Sequence, residues 1–539
     1  MALALRPRVL VVALAALMTV TGCTAAPPGT PDATPSPIET STPTAAAPPL
    51  RGGAVAAGHP LSAAVGTSIL DLGGNAVDAA VAAAIADTVL QPDASSIGGG
   101  GSAIVADSED VAYVDYRDEV NTAGTIPDSG AGIPGFVAGM AALHERYGSL
   151  TWAQLLEPAL ALARDGAPVS GYLAGQFRYL PVGPERAPAF FDGAGGRLPP
   201  EATMVQPELA QTIQTLSTEG AAAFYTGSLV PALTQVAGID AASLAAYEVQ
   251  WSTPPQGQFG DYTVVSASPA LPGAAVVQQL QIEEALGIAQ AAPNSADFVD
   301  IQTRAWRVAD TSIQTLFGDP MFVEVPTDQL TDLAINAGVA SSATGLTPEP
   351  AGSDVDGNTT HISVVDENGL TVSMTNTVTN FWGSGQIVGG FFLNDSLERF
   401  ADIGTAGLNV PRPGARSVSW SAPSLLLDSE NRPVLAVGLP GGRQIPSTLA
   451  TVIALWAMHG YTVEQAVLAP RFQLLPSGVL RLEAGLPVDE LRARGYTAEL
   501  FDQPPFFGSV QALEIDWDTG AVTGFADPRR AGGLALTTP

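Results

Sequence analysis

Polar and apolar side chains alternate along residues 358–379, on both sides of an Asn368-Gly369 pair. After that pair, three apolar residues alternate with five hydroxyl residues: Leu370, Val372 and Met374 with Thr371, Ser373, Thr375, Thr377 and Thr379. Alternation with a period of two predicts a strand with two unlike faces, and Asn-Gly is typical of a tight hairpin turn. The pattern therefore predicts a β-hairpin with a ladder of hydroxyl groups on one face. Two interpretations stay open: a half-exposed threonine-rich strand, or hydroxyl groups arranged around a reaction centre.

A helical period follows Gly73-Gly74. Asn75 can cap a helix whose first turn contains Asp78, and apolar residues recur at every fourth position: Val77, Val81, Ile85 and Val89. A loop at residues 91–97, the four glycines Gly98 to Gly101 and a short predicted strand at residues 102–105 come next. A dinucleotide-binding fingerprint needs the strand before the glycines and the helix after them, so the reversed order argues against such a site.

The rest of the chain divides into two parts with different predicted secondary structure. From about residue 148 to residue 340 the pattern predicts helices separated by Pro/Gly turns, for example over residues 153–164 and 295–313. After Thr359 it predicts mainly alternating strands. The two parts join at the Asn358-Thr359 bond, which suggests a chain that is cut into two pieces.

The N-terminus predicts export and a lipid anchor. Arg6 and Arg8 precede an apolar run over residues 9–20, which ends in Val20-Thr21-Gly22-Cys23. This pattern resembles a bacterial lipoprotein signal peptide over residues 1–23, with Cys23 as the lipidated residue. The alternatives are a plain secretory signal or a short anchor. Residues 24–51, rich in Pro, Thr and Ala, then form a tether, and we expect an extracytoplasmic protein anchored to the cell membrane.

Composition narrows the classes of partner. The chain has 53 acidic and 22 basic residues, a net charge of −31, and nucleic acid is therefore a poor partner because its phosphates would be repelled. Only four histidines and one cysteine occur, which argues against a metal site. No cofactor is predicted. Since Cys23 is the only cysteine, the exported part has no internal disulfide.

Seven short motifs cover nearly all of the chain after residue 50. They are Gly73-Gly74-Asn75-Ala76-Val77-Asp78-Ala79-Ala80, the glycines Gly98 to Gly101, Ile133-Pro134-Gly135, Glu157-Pro158-Ala159 with Ala163-Arg164, Thr359-Thr360-His361, Pro440-Gly441-Gly442, and Ala469-Pro470-Arg471-Phe472. Each motif alone is weak, but the ordered set resembles the γ-glutamyltransferase family.

The resemblance implies an N-terminal nucleophile hydrolase with an α+β fold, a four-layer αββα sandwich. It also implies a proenzyme that cuts itself between Asn358 and Thr359. Residues 52–358 would then form a large subunit, and residues 359–539 a small catalytic subunit that stays bound to it as a heterodimer.

The resemblance also assigns catalytic roles. Thr359 is the implied nucleophile, and its freed α-amino group, with an unperturbed pKa near roughly 8, can serve as the general base. Thr377 lies where the family has a side chain that hydrogen bonds to the nucleophile. Gly441 and Gly442 match the glycines whose backbone N–H groups hold the developing oxyanion.

Substrate recognition is where the sequence departs from the family pattern. Arg117 stands where the family has an arginine that pairs with the α-carboxylate of a glutamyl group. In an ungapped comparison, Arg399 stands where the family has the aspartate that binds the α-ammonium, and a cation there would repel it. A shift of one residue would instead bring Glu398 into that role.

Two further departures lie close by. Thr379 takes the place of a substrate-binding asparagine, and in Ser419-Trp420 the second serine of a family pair is a tryptophan. A shift of one residue would instead bring Ser421 into that position. The stretch over residues 401–416 is short compared with members that carry a lid over the site. An open site would admit bulkier acyl donors.

These observations leave three hypotheses for function. The first is a self-processing amidohydrolase or acyltransferase that takes γ-glutamyl, glutathione-type or related amides, with water, an amino acid or a peptide as acceptor. The second is an acylase for a donor that lacks a free α-amine. The third is a lipoprotein that keeps the fold without catalysis, which the joint presence of Thr359, Thr377, Gly441 and Gly442 disfavours.

Overall fold

The computed structural model describes residues 50–342, 357–404 and 407–537. Cys23 and most of the predicted tether lie outside the described residues. The strands are β1 (Ala54–Ala57), β2 (Gly100–Ala106), β3 (Val111–Asp115), β4 (Ala167–Pro168), β5 (Thr203–Met204), β6 (Gln250–Ser252), β7 (Gln256–Phe259), β8 (Tyr262–Ser266), β9 (Gly357–Val365), β10 (Thr371–Asn380), β11 (Ile387–Val388), β12 (Phe391–Phe392), β13 (Ser424–Leu427), β14 (Pro433–Gly438), β15 (Phe472–Leu474), β16 (Val479–Leu482), β17 (Thr497–Leu500), β18 (Gln511–Asp516), β19 (Ala521–Ala526) and β20 (Gly533–Leu536).

The α-helices of the described residues accompany these strands. They are α1 (Pro60–Asp71), α2 (Ala76–Leu90), α3 (Phe136–Tyr147), α4 (Trp152–Asp165), α5 (Gly171–Gln176), α6 (Pro207–Glu219), α7 (Ala222–Tyr225), α8 (Val230–Leu233), α9 (Ala241–Ala246), α10 (Gly273–Ala285), α11 (Ala296–Leu316), α12 (Thr327–Leu330), α13 (Leu333–Ala340), α14 (Arg399–Asp402), α15 (Gln444–His459), α16 (Val463–Leu468) and α17 (Val488–Ala493). The prediction of a fold with both helices and sheets is confirmed.

Two antiparallel sheets dominate the described part of the chain. The first has the strand order β20-β1-β9-β10-β2-β3-β6, and the second has the order β19-β18-β14-β13-β8-β7. Both sheets contain strands from before and after the Asn358-Thr359 bond: β1 pairs with β9 and β20, β2 pairs with β10, and β8 pairs with β13. The two candidate subunits therefore share their hydrogen-bond ladders.

Three clusters of buried apolar side chains accompany these sheets. One joins β9 and β10 to α2 and its neighbouring helices, through residues such as Val364, Met374 and Val81. A second joins the two sheets, for example through Ala56 and Leu425. A third joins the second sheet to α10, α11 and α15.

The predicted hairpin is confirmed as β9 and β10, but neither of its faces is exposed. Its hydroxyl face lies against the second sheet: the Ser363 hydroxyl donates to the Gln511 carbonyl at 3.1 Å, and the Ser373 hydroxyl to the Val437 carbonyl at 3.3 Å. His361 lies between them with Thr375, and burial lowers its pKa to about 3, so that it is neutral and structural. The interpretation of a half-exposed strand is therefore wrong.

The predicted cap of α2 is confirmed. Asn75 accepts from the backbone N–H groups of Val77 and Asp78, and Asp78 accepts from the N–H of Asn75 in return. Asp366, at the hairpin turn, also accepts from the N–H of Ala76 at 3.0 Å. The hairpin and the start of α2 are thus joined, and the loop that leaves the far end of α2 reaches the Asn358-Thr359 bond.

The helices predicted over residues 153–164 and 295–313 are confirmed as α4 and α11, within three residues at each end. The purely helical interpretation of residues 148–340 was wrong, because β6, β7 and β8 form there. Strand β7 reads Gln-Gly-Gln-Phe and has no apolar alternation that would predict it. No helix in the described ranges has the length and apolar character that crossing a bilayer requires.

Candidate active site

The hydroxyl of Thr377 lies between the implied nucleophile and the bond that it would cut. Thr359 and Thr377 are directly opposite in the β9–β10 ladder, and the Thr359 hydroxyl donates to Thr377 Oγ1 at 3.2 Å. Thr377 Oγ1 donates in turn to the carbonyl oxygen of Asn358 at 2.8 Å. Because Asn358 immediately precedes Thr359, this carbonyl belongs to the predicted scissile bond.

A β-bulge brings Thr377 into this position. The pairing register shifts between Thr377 and Thr379, and Thr379 has φ of 84°, which is rare for a β-branched residue. Its backbone N–H donates to Thr377 Oγ1 at 2.7 Å. Because Thr377 Oγ1 accepts this hydrogen bond, its hydroxyl is oriented to donate its own proton to the Asn358 carbonyl.

The arrangement can start a self-cleavage without a histidine or a carboxylate. The Thr359 oxygen can reach the carbonyl carbon of Asn358 by closing a five-membered ring. As that bond forms, the Thr359 proton can pass to Thr377 Oγ1 while Thr377 passes its proton to the carbonyl oxygen. The new hydroxyl group on the carbon would then pass its proton to the Thr359 nitrogen as the carbon–nitrogen bond breaks, which would leave an ester on Thr359 and a free α-amino group, and water would hydrolyse the ester.

The side chain of Asn358 is held by two residues that the sequence analysis did not single out. Its amide nitrogen donates to Asp93 Oδ2 at 2.7 Å, and Arg530 donates to its Oδ1 at 3.3 Å. Burial raises the pKa of Asp93 to about 6, an effect that the hydrogen bond from Asn358 and the charge of Arg530 reduce. The sequence signals were slight: an acidic residue in the loop before the four glycines, and the second of two adjacent arginines.

The implied oxyanion glycines lie beside the same bond. Gly441 and Gly442 have φ of 154° and 63°, in the region that favours glycine, and they link β14 to the N-terminus of α15. A Cβ on Gly357 would lie 3.0 Å from the Cα of Gly442, so the chain just before Asn358 is packed on this loop. The backbone N–H groups at a helix N-terminus suit a developing negative charge.

Trp420 belongs to the core beside this loop. The guanidinium carbon of Arg443 lies 5.3 Å from the centre of the Trp420 ring, and Arg443 pairs with the buried Asp310 on α11. Arg443 directly follows Gly442, so Trp420 packs next to the glycine loop through its contact with Arg443. Ser419, its neighbour, is only partly buried.

Arg117 is buried and already paired. It forms an ion pair with Asp115 at 2.7 Å and donates to the carbonyl oxygen of Ser417 at 2.5 Å. Burial would raise the pKa of Asp115, but the guanidinium groups of Arg117 and Arg416 hold it below its usual value. The Ser417 contact brings Arg117 next to the segment that contains Ser419. Its role as a carboxylate-binding residue stays a prediction.

Glu398 and Arg399 meet at one side chain, that of Asn380, which follows Thr379. Arg399 donates to Asn380 Oδ1 at 2.8 Å, and Asn380 Nδ2 donates to Asp395 at 2.7 Å and to Glu398 at 3.3 Å. Arg399 also pairs with Asp402 on α14. Burial raises the pKa of Asp395 to about 6. Both candidates for the ammonium position thus lie at the end of β10, and the choice between them stays open.

Comparison with known proteins identifies the family of this chain. The family profile described as "Gamma-glutamyltranspeptidase" matches residues 62–537. The glutathione hydrolase proenzyme of Pseudomonas aeruginosa is 33% identical over 542 residues, which cover 90% of this chain and 95% of that protein. The capsule biosynthesis protein CapD proenzyme of Bacillus anthracis is 30% identical over 484 residues, 89% of each chain.

A solved structure supports the fold. The cephalosporin acylase from Bacillus halodurans superposes with a TM-score of 0.82 at 23% identity, covering 92% of this chain and 98% of that one. The two proteins therefore share their fold over nearly their whole length. The chain belongs to the gamma-glutamyltranspeptidase family, and the resemblance inferred from its motifs is confirmed; its relatives are enzymes.

Replacing Thr377 tests the proton path. Thr377→Val keeps the shape of the side chain but removes the donor to the Asn358 carbonyl, and we expect self-cleavage to slow by about a hundredfold or more. Thr377→Ser keeps the hydroxyl and should stay within about tenfold of the natural rate. The measurement is the time course of cleavage on a denaturing gel. Cleavage of the valine variant at the natural rate would contradict the path.

Proposed function

We propose that this protein is a self-processing amidohydrolase or acyltransferase whose catalytic nucleophile is Thr359. The observation that carries the proposal is the contact of Thr377 Oγ1 with both the Thr359 hydroxyl and the Asn358 carbonyl. Cleavage there would give a large subunit of residues 52–358 and a small subunit of residues 359–539.

The uncut chain is closed to other substrates. Asn358 is 1% exposed and Thr359 is 6% exposed, and Gly357 packs on Gly442. An acyl donor can reach the Thr359 hydroxyl and the glycine N–H groups only after residues 357–358 withdraw. Self-cleavage would therefore both create the α-amino base and open the site.

We infer that the described residues form the four-layer sandwich that the family resemblance implies. The three core clusters support this order: helices against the first sheet, the first sheet against the second, and the second sheet against further helices. Because strands from both sides of the cut pair with each other in both sheets, the subunits would stay together as a heterodimer after cleavage.

For the mature enzyme we propose an acyl-enzyme mechanism. The α-amino group of Thr359 takes the hydroxyl proton as the threonine oxygen attacks the donor amide. Gly441 and Gly442 stabilise the oxyanion through their N–H groups, each worth up to about 3 kcal/mol. The α-ammonium group then gives its proton to the nitrogen of the donor amide, whose bond to carbon breaks and whose amine leaves. The acyl group then passes from the threonine ester to water, an amino acid or a peptide.

The donor is a γ-glutamyl amide or a related amide. Relatives named as glutathione hydrolase support this class. The second candidate is a donor without a free α-amine, and the observation that favours it is the buried guanidinium of Arg399 at Asn380, beside the end of β10.

The first test concerns maturation. The mature protein should run as two bands, and mass spectrometry should find Thr359 as a new N-terminus. Because the chain contains no lysine, α-amino groups at chain starts are its only primary amines, and an amine-reactive tag should mark Thr359 without a lysine background. Thr359→Ala should stay in one piece. Cleavage of the alanine variant at the same bond would rule out Thr359 as the cutting residue.

The second test concerns the donor. With Arg399 at the ammonium position, glutathione loses a charge-assisted contact worth roughly 1.5–3 kcal/mol, about tenfold to a hundredfold in rate. An analogue whose α-ammonium is replaced by hydrogen should show a much smaller loss of kcat/KM. Arg399→Asp should shift kcat/KM back toward glutathione, whereas Arg412→Asp, the same charge change at an exposed residue, should not. Normal turnover of glutathione without a gain from Arg399→Asp would instead assign the role to Glu398.

The third test concerns location. We propose that Cys23 carries a lipid and that residues 24–51 tether the enzyme to the outer surface of the cell membrane. Cys23→Ser should move the protein from the membrane fraction to the soluble or secreted fraction, since the variant lacks the acyl chains that would hold it in the bilayer. Mature protein without lipid on Cys23 would contradict the anchor.

A further inference from the structure

The carboxamide of Asn358 uses all of its hydrogen-bonding capacity. Its nitrogen donates to Asp93 Oδ2 at 2.7 Å and to the Asp93 carbonyl oxygen at 3.1 Å. Its oxygen accepts from the backbone N–H of Thr359 at 3.1 Å and from Arg530 Nη1 at 3.3 Å. A primary amide has two N–H donors and two acceptor positions, so its orientation is fully specified.

The two residues that hold this amide are themselves fixed. Asp93 is 1% exposed, and its carbonyl oxygen also accepts from the backbone N–H of Trp382 at 2.9 Å. Arg530 is 5% exposed, and its Nε donates to the Pro505 carbonyl oxygen at 2.8 Å. Asp93 comes from the loop after α2 and Arg530 from the end of the small-subunit segment. Both halves of the chain therefore hold the residue at the cut.

The orientation matters because Asn358 has a second way to break the same bond. Its own amide nitrogen can attack its main-chain carbonyl carbon and close a five-membered imide. In that reaction the bond from Nδ2 to the carbon forms, the bond to the Thr359 nitrogen breaks, and one proton moves from Nδ2 to the leaving amine. Thr359 would be freed, but the large subunit would end in a cyclic imide rather than a carboxyl group.

We propose that Asp93 and Arg530 are positioning residues for self-cleavage, which hold the Asn358 amide so that the Thr359 hydroxyl attacks the carbonyl and the amide nitrogen does not. Asp93 directs both N–H bonds of Nδ2 to itself, and the Thr359 N–H and Arg530 hold Oδ1 on the opposite side. The proposal rests on the proposed function, since it takes self-cleavage by Thr359 as the reaction that is guided.

The test compares purified precursors during cleavage. Asp93→Ala should slow cleavage by about tenfold or more, because the misoriented bond loses its near-attack geometry. A fraction of its large subunits should carry the imide, and their mass should be lower by one water than that of a subunit that ends in Asn358 with a free carboxyl group. Asp93→Asn keeps an acceptor and should stay within about threefold with no imide. Arg530→Gln should also slow cleavage, whereas Arg432→Gln, a surface arginine paired with Asp428, should not.

A double-mutant cycle separates positioning from a general structural role. In an Asn358→Ala background the amide is absent, so Asp93→Ala should add little to the loss of rate. If Asp93 only stabilised the fold, its effect would be the same in both backgrounds. Thermal unfolding of Thr359→Ala and of Thr359→Ala with Asp93→Ala, both uncut at the start, should agree within a few degrees and show that the second change is tolerated.

The Thr359→Ala background distinguishes the positioning role from the proposed function. Thr359→Ala alone should stay uncut, and Thr359→Ala with Asp93→Ala should be cut slowly, with the imide at the new end. Cleavage of Thr359→Ala alone would overturn the proposed function. If Thr359→Ala stays intact while Asp93→Ala and Arg530→Gln both cut at the natural rate and leave only a free carboxyl, the positioning role is overturned and the proposed function stands. If Asp93→Ala does not fold, the rate and product of Arg530→Gln decide the question.

Discussion

The hydrogen bond from Thr377 to the Asn358 carbonyl depends on the register of one strand pair. Thr359 and Thr377 face each other only because β9 and β10 pair without a slip from residue 359 to residue 365. A slip of one residue would turn the hydroxyl ladder toward α2 and the apolar side chains toward the second sheet. Burial of Ile362 and Met374 against the helix layer therefore holds the reaction centre in place.

The second constraint is the burial of polar groups. The hydroxyl face of the hairpin lies between two sheets, where each unpaired group would cost about 1–3 kcal/mol. Ser363 and Ser373 donate to carbonyl oxygens of β18 and β14, and His361 stays neutral. The same hydroxyls that look functional in the sequence thus serve mainly to join the sheets, and only the last part of the ladder, at the bulge, takes part in the site.

Two residues that the sequence comparison marks as departures from the family pattern, Trp420 and Arg399, have charged or polar partners in the structure. In the sequence comparison Trp420 stands in place of a serine, and its ring packs against Arg443, which follows Gly442 and pairs with Asp310. In the ungapped comparison Arg399 stands in place of an aspartate, with Glu398 as the alternative, and its charge is matched by Asp402 and by the amide of Asn380. These partners compensate buried charge, because a guanidinium without them would be an unpaired group in the interior.

The sequence by itself determined the hairpin, the capped helix α2, the candidate nucleophile and the family, because these depend on short periodicities and contiguous motifs. It did not predict β7, whose polar residues carry no pattern, or that both faces of the hairpin are buried. Only the tertiary structure brought Asp93 and Arg530 to Asn358, from 265 and 172 residues away along the chain. Contacts over such separations leave no local signature, because they are decided by how the helices and sheets pack rather than by neighbouring residues.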